Sequence, residues 1–547
     1  GESMASYFSK PNVPSLASET ALDIEAKYFS KYGKEKKLYK AYDGIMGEPV
    51  FYVLKKMSKR YPNNKKIRRA LIDAIKDKKL TKAFYNPDLL FQTLEGFYTP
   101  DSRSRVNDPY FKMAVNKLRE MIIPDQKLKP SIIHSGMDVR ENLTTVNTSA
   151  GIGNYGKKKK HVLNYMITKG LELKQEIASG KPLSKIKTLP YIAITRSQLG
   201  TLAKDNMYIA PLDENGNYKY KGRLVWCEDA AMVLFESQYA RPAINYLAEA
   251  WPNIAMGKAP DKLRSHLCLM SESMHYWYSS DYEKYDSTLP AWLLRTAFDL
   301  IKEMFDEQYH REINFICKEF INAAILMPDK QIYTVNKGVK SGSYFTQIIG
   351  SICNALIMFT FLFHKFEKHD KQDGVSLETN MTMPDGNLAC SFMGDDGVIA
   401  LQVRVDTKAM SDYVKRVFGV VINPSKTTKG RKGQPIEYLR RSWTRDGEWR
   451  DPADILIHLM HPERRRLYKN YSPWHILFGM WMTYRLAFEE MGFSGRYIVS
   501  KMKETPFGVE ALENVEREEL PGALAALKYT DFDTYQAMVD AAIEFAA

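Results

Sequence analysis

Two adjacent carboxylates at the tip of a β-hairpin constrain this chain more than any other feature. Residues 387–403 hold two β-prone runs on either side of Gly394-Asp395-Asp396, the pattern of a tight hairpin. Neighbouring acids on a turn repel each other, so a fold that keeps them there needs a counter-charge. A divalent cation supplies one, because hard carboxylate oxygens suit Mg2+ or Mn2+. Such tripeptides also occur as ordinary exposed turns, so the reading depends on what else the chain holds.

A third acid stands where another strand is expected to end. Tyr276–Ser280 is aromatic and β-prone, and Asp281 follows it. A helix is predicted just beyond, capped by Ser287 or Thr288, with Pro290 in its first turn and Leu294, Ala297, Phe298 and Ile301 on one apolar face. Between the two acid sites, the loop from Asn336 through Ser341-Gly342 runs into a second helix. Its apolar residues are Phe345, Ile348, Ile349, Ile352, Leu356 and Phe359. Thr346, Gly350 and Asn354 form a small polar row at i+4 spacing on it, and polar groups on an apolar helix need partners.

A strand-end Asp, a Ser-Gly loop opening a helix, and a Gly-Asp-Asp hairpin, in that order, resemble palm motifs A, B and C of viral RNA-dependent RNA polymerases. The wording around Ser341–Leu356 looks closest to the partitivirus and picobirnavirus group of double-stranded RNA viruses. Val421–Lys426 is similar to motif D; it follows a helix with Met410, Tyr413, Val414, Val417 and Phe418 on one face and Gly419 as terminator. Glu437–Trp443 resembles motif E, the primer-grip hairpin. Lys219–Val225 resembles the core of motif F, with Thr195-Arg196 as its earlier arm, and Thr148–Gly151 resembles motif G at the template entrance. The likeness runs from about 145 to 445, strongest in A, B and C; residues 4–130 and 453–547 match no motif.

The resemblance implies nucleotidyl transfer, in which a primer 3′-oxygen attacks the α-phosphate and pyrophosphate leaves. By it, Asp281 and Asp395 hold two Mg2+ or Mn2+ ions and Asp396 closes or supports the site. Lys426 protonates or neutralises the departing pyrophosphate. Arg196, Lys221 and Arg223 grip the triphosphate. Asp286 and Asn354 hydrogen-bond the ribose 2′-OH, with Ser341 and Thr346 ordering that network and Gly342 counted among the substrate-binding residues. Thr148, Ser149, Gly151, Lys157 and Lys158 line the template entrance, and Arg464–Arg466 face the exiting duplex. The expected partners are RNA template and product, NTPs and a viral capsid protein, inside the virion and in the host cytoplasm.

The bulk properties agree without deciding. The 547 residues carry a net charge of +13, which favours a polyanionic partner. A composition of 44% hydrophobic and 26% charged residues is that of a folded soluble protein. Five scattered cysteines (Cys227, Cys268, Cys317, Cys353, Cys390) form no Cys-x-x-Cys pair, so no zinc site or disulfide framework is expected and a reducing compartment fits. The polar start lacks the apolar core of a signal peptide. The apolar run Ala355–Phe363 is too short to span a bilayer, so no membrane partner is expected. On charge alone, a non-catalytic RNA-binding or capsid-associated protein fits as well; on acids alone, another two-metal phosphoryl enzyme such as a nuclease does.

The expected fold is α+β, a right-hand polymerase whose antiparallel palm sheet is flanked by helices. Residues 4–130 bridge fingers and thumb and enclose the site. Fingers take 131–265 and an insertion at 295–335. The palm takes 266–294 (motif A) and 336–450 (motifs B to E), and a helical thumb with the C-terminal tail takes 453–547. Lys65–Lys82 is predicted as a basic helix on the spacing of Ile67, Leu71, Ile72 and Ile75.

Overall fold

The structure, a computed structural model, describes residues 39–40, 48–65, 80–82, 87–143, 146–154, 156–196, 199–201, 223–368, 376–460, 470–515, 520, 524, 528 and 532–546. Helices and largely antiparallel sheets are interleaved throughout.

The strand Tyr276–Ser280 lies inside a four-stranded antiparallel sheet, ordered Cys390–Met393, Asp396–Leu401, Tyr276–Ser280, Thr428–Arg431. Successive strand residues point to opposite faces, and the two faces bury different cores. Tyr278, Cys390, Ile399 and Leu401 join the core built on the helix Thr346–Lys368. Trp277, Val398 and Ala400 pack instead against Met270, Ile436 and Trp443. The helix Thr346–Lys368 is apolar nearly all round because it is surrounded. Its stretch Thr346–Glu367 is long and apolar enough by composition to cross a membrane, yet 89% of its 18-residue apolar window is buried within the protein, as in a core helix.

Two distant stretches build a second sheet, ordered Arg223–Cys227, Tyr191–Arg196, Ala323–Leu326, Ile332–Val335, in which only the middle pairing is parallel. The helix Pro87–Glu95 covers it, with Leu90, Phe91 and Leu94 set among Tyr191, Leu224, Trp226 and Tyr333. The helix Glu48–Arg60 packs elsewhere: Val50, Val53 and Met57 enter a helical core with Ile455, Trp474, Phe478 and Ile498, and Tyr52 stacks on Tyr497 at 4.5 Å. The N-terminal part of the chain therefore touches both bodies.

Several local expectations hold. The helix Thr407–Phe418 buries Met410, Tyr413, Val414, Val417 and Phe418 and ends at Gly419 with φ 71°. All five cysteines are free thiols. Two expectations need correction. The helix after Asp281 begins at Ala291, not at Ser287 or Thr288; those hydroxyls donate back to the Lys284 carbonyl in a short turn, Tyr285–Thr288, and Asp101, far away in sequence, accepts from the Ala291 N–H at 3.3 Å. The predicted basic helix does not reach Lys82, because Leu80–Lys82 is a strand paired with Leu199–Thr201; residues 66–79 lie outside the described residues.

Candidate active site

Register brings the acids together. Gly397 pairs with Ser280 across the sheet, so Asp396 and Asp281 end neighbouring strands side by side, and Asp395 sits in the two-residue loop between paired Met393 and Asp396. Gly394 opens that loop with φ 58°, a conformation in which glycine has no Cβ to clash. The Asp281 carbonyl accepts from the Asn423 N–H at 2.8 Å. Asn423 in turn shapes the next loop, its Oδ1 accepting from the Ser425 and Lys426 N–H groups at 3.0 and 3.3 Å. The end of the Asp281 strand thereby holds the loop that carries Lys426, whose side chain is exposed.

Asp396 is open to water on one side, but protein crowds it on the others. That desolvation first, then the charge of Asp395, and lastly that of Asp281, push its carboxyl up to about 6, with Arg440 opposing them. Arg440 was not foreseen. It stands with Leu439 in the tight loop between strands Ile436–Tyr438 and Arg441–Thr444, at φ 60° and 55°. L-residues adopt that conformation at a cost, and the turn sequence holds no Gly, Asn or Asp to mark it.

The hairpin rests on the first turns of the helix Thr346–Lys368. Ser351 Oγ accepts from the Gly394 N–H at 2.9 Å. Asn354 Nδ2 donates to the carbonyls of Gly394 and Asp396 at 3.0 and 3.2 Å, and its Oδ1 accepts from the Tyr282 hydroxyl at 2.9 Å. Tyr285, its ring centroid 4.7 Å from that of Tyr282, donates to the Gly350 carbonyl at 2.6 Å. Asn354 is 0% exposed. Asn354, expected at a ribose hydroxyl, here has its amide occupied within the protein. Asp286 remains exposed at the surface of its turn.

The loop before this helix is equally engaged. Ser341 Oγ accepts from the Trp226 N–H at 3.0 Å, and Thr346 Oγ1 donates to the Lys340 carbonyl at 2.7 Å, so both hydroxyls that were expected to order a sugar network brace the loop itself. Gly342 lies directly on the Trp226 carbonyl. Beneath them Glu236, fully buried, accepts from Ser343 Oγ and, at 2.9 Å, from the Tyr344 N–H. Glu228 lies beside it, bonded to the Tyr191 hydroxyl. Burial pushes both carboxyls up, Glu236 to about 7. Periodicity gives no sign of Glu236, since a buried carboxylate on an apolar helix reads as a surface residue, nor of Glu228, which lies between the strand Arg223–Cys227 and that helix.

The donor set at the strand ends fits a hard divalent cation: Asp281, Asp395 and Asp396 offer only carboxylate oxygens. Like charges hold these groups apart, and among the described residues no three His, Cys, Asp or Glu side chains converge on one point. A cavity of about 870 Å3, lined by Phe97, Tyr191, Glu228, Lys318 and Asn336 among others, includes none of the three acids.

Against known families, residues 71–457 match the viral RNA-dependent RNA polymerases. The chain belongs to that family. It is 30% identical over 148 residues to the RNA-directed RNA polymerase of Cryptosporidium parvum virus 1, a match covering 25% of this chain and 26% of that protein. It is 26% identical over 373 residues to the genome polyprotein of poliovirus type 3, covering 65% of this chain and 15% of the polyprotein, and 25% identical over 226 residues to the RNA1 polyprotein of broad bean wilt virus 2, covering 39% and 11%. The chain thus spans about a quarter or less of these relatives' lengths.

The other motif positions of this viral polymerase family are distributed unevenly. Residues 146–150 and 157–160 form a paired loop: Ser149 bridges Lys158, and the Ala150 N–H donates to the Lys157 carbonyl at 3.0 Å. Gly151, at φ 85°, docks this loop on Glu228 and Asp229, the end of the motif F strand. Lys157 is exposed and Lys158 bonds Asn147, whereas Lys159 turns inward to Thr148 Oγ1 at 2.7 Å and the Ser149 carbonyl at 2.9 Å. Arg196 and Arg223 face each other in register on adjacent strands, but their side chains, all of Lys221 and Arg464–Arg466 lie outside the described residues.

Proposed function

We propose that this chain carries out template-directed RNA synthesis from NTPs, replicating and transcribing a viral RNA genome of the double-stranded class. One observation carries the reading: the register that sets the end of the Asp281 strand against Asp395 and Asp396. When bound there, Mg2+ or Mn2+ supplies charge stabilisation for the attacking and leaving oxygens of an in-line displacement. The chain's own residues do the remainder. Asp281, Asp395 and Asp396 present the carboxylates. Asp286, exposed on the turn after Asp281, accepts a hydrogen bond from the ribose 2′-OH. Arg223 and Arg196 meet the triphosphate, and Lys426 gives a proton or a charge to departing pyrophosphate. The loop of Thr148, Ser149, Gly151, Lys157 and Lys158 guides the template strand.

In this reading the four-stranded sheet is the palm, and the sheet shared by residues 191–227 and 323–335 belongs to the fingers, which explains their two separate stretches. The helices after Pro452 form the thumb. The N-terminal segment bridges the two, a role supported by its packing on both bodies. The enzyme works in the virion interior and host cytoplasm beside a capsid protein.

The deciding experiment supplies labelled NTPs, an RNA template and Mg2+. The expected result is chain extension that Asp395→Asn abolishes while RNA binding persists. Extension that survives Asp395→Asn refutes the assignment; shortening of the template alone marks a nuclease, and RNA binding as the sole activity marks a non-catalytic protein.

A further inference from the structure

We propose that Asn354 is a positioning residue for the metal-binding carboxylates, fixing the separation of Asp395 from Asp281 with help from Gly350 and Ser351. The inference rests on the reading of Asp281 and Asp395 as cation ligands. One buried side chain touches both arms of the site. Asn354 Nδ2 holds the two carbonyls that flank Asp395, those of Gly394 and Asp396, and Asn354 Oδ1 holds the hydroxyl of Tyr282, the residue that follows Asp281. No water reaches this amide, so its bonds are costly to leave unmade. Ser351 fixes the Gly394 N–H from the same helix face. Gly350 fixes the approach distance: a Cβ there would stand 3.3 Å from Gly394 Cα and 3.8 Å from its carbonyl carbon, so the hairpin must yield by a few tenths of an ångström.

Such displacements matter because Mg2+ demands near-ideal octahedral geometry at short range. Groups that orient metal ligands without touching the ion typically change affinity about 10- to 100-fold when removed. Asn354→Ala releases the hairpin. Gly350→Ala pushes it away while improving the helix itself, since alanine is the better helix former. The two changes therefore act oppositely on the helix but alike on the acids, which separates positioning from stability. Thr360→Ala supplies the comparison: Thr360 is equally buried on the same helix, its hydroxyl donates to the Leu356 carbonyl at 2.6 Å, and it stands nearly two turns beyond Asn354.

The test is Mn2+ binding to RNA-free protein by electron paramagnetic resonance, with the Mn2+ concentration for half-maximal incorporation and the melting temperature measured on the same samples. Asn354→Ala and Gly350→Ala are expected to weaken Mn2+ binding about 10-fold or more, and Thr360→Ala to leave it unchanged even where it lowers the melting temperature. If Asn354→Ala does not fold, Ser351→Ala replaces it with a smaller shift in the same direction. Wild-type Mn2+ binding in Gly350→Ala together with Asn354→Ala or Ser351→Ala overturns the inference, as does a loss in Thr360→Ala of the same size. Absence of Mn2+ binding in the wild type, or its survival in Asp395→Asn, overturns instead the metal reading beneath it.

Discussion

Gly342 sits so close to Trp226 that a single methyl group on it would overlap the Trp226 carbonyl oxygen and crowd the Glu228 N–H at 3.2 Å. The motif B loop and the strand of motif F are thus interlocked backbone to backbone. Backbone cannot swing aside as a side chain can, so Gly342→Ala is expected to cost about 3 kcal/mol or more. Urea unfolding of the variant and its incorporation rate would both report this; a variant with unchanged stability and rate would mean that the two segments are free to separate.

The acid Asp396 makes stability depend on pH. Its carboxyl is pushed up to about 6, so the folded protein binds more protons than the unfolded chain between the ordinary carboxylate range and that value. Metal-free stability therefore falls as pH rises from about 4 to about 6. Asp396→Asn removes the effect. Its melting temperature without divalent ions should match wild type near the acid end and exceed it above about pH 6, and Mn2+ should raise the wild type more than the variant. Parallel melting curves across that range would exclude Asp396 as the source.

Asp286 is exposed on its turn, whereas Asn354 is buried, so the proposed sugar contact is tested at Asp286. Asp286→Ala is expected to lower the preference for NTP over dNTP by about 10-fold or more, because a polar site rejects the analogue lacking its hydroxyl mainly through unpaired groups. Single-nucleotide incorporation with each substrate measures the ratio, and an unchanged ratio removes Asp286 from sugar selection.

The Asn423 brace fixes the backbone from which the exposed Lys426 side chain extends. From the proposed role as proton donor, Lys426→Ala should slow incorporation by about 100-fold, at the low end for general acid catalysis, with RNA affinity intact. A wild-type rate for Lys426→Ala would discard the role.

Glu236 is expected to tolerate Gln and not Ala. Glu236→Gln keeps an acceptor for the Tyr344 N–H, whereas Glu236→Ala strands that donor in a dry site, costing about 1–3 kcal/mol for the unmet hydrogen bond alone. Comparison of the two by chemical denaturation checks it, and equal losses would show that Glu236 acts through volume.

The sequence was most legible where period and position coincide. Alternation marked the strands around Gly394-Asp395-Asp396, and helical spacing marked Met410 to Phe418, because those side chains bury one face each. Asn354 was correctly singled out as a polar residue needing a partner, but its partner proved to be the hairpin, a choice set by a docking no local pattern encodes. Ser287 and Thr288 looked like helix caps until the acid of Asp101 arrived from elsewhere. Arg440 and the pair Glu228 and Glu236 left no trace, since a strained turn without glycine and a shared buried charge arise only once distant backbone is assembled.

The strand leading to Asp281 is flanked by neighbours that both lie far downstream, Asp396–Leu401 and Thr428–Arg431. During synthesis, that aromatic ribbon therefore emerges from the ribosome with two naked hydrogen-bonding edges, and stays so until residue 431 has been made. Chains truncated between the two acid motifs are the ones expected to clump, and the acid site cannot come into being until the chain has grown past residue 431.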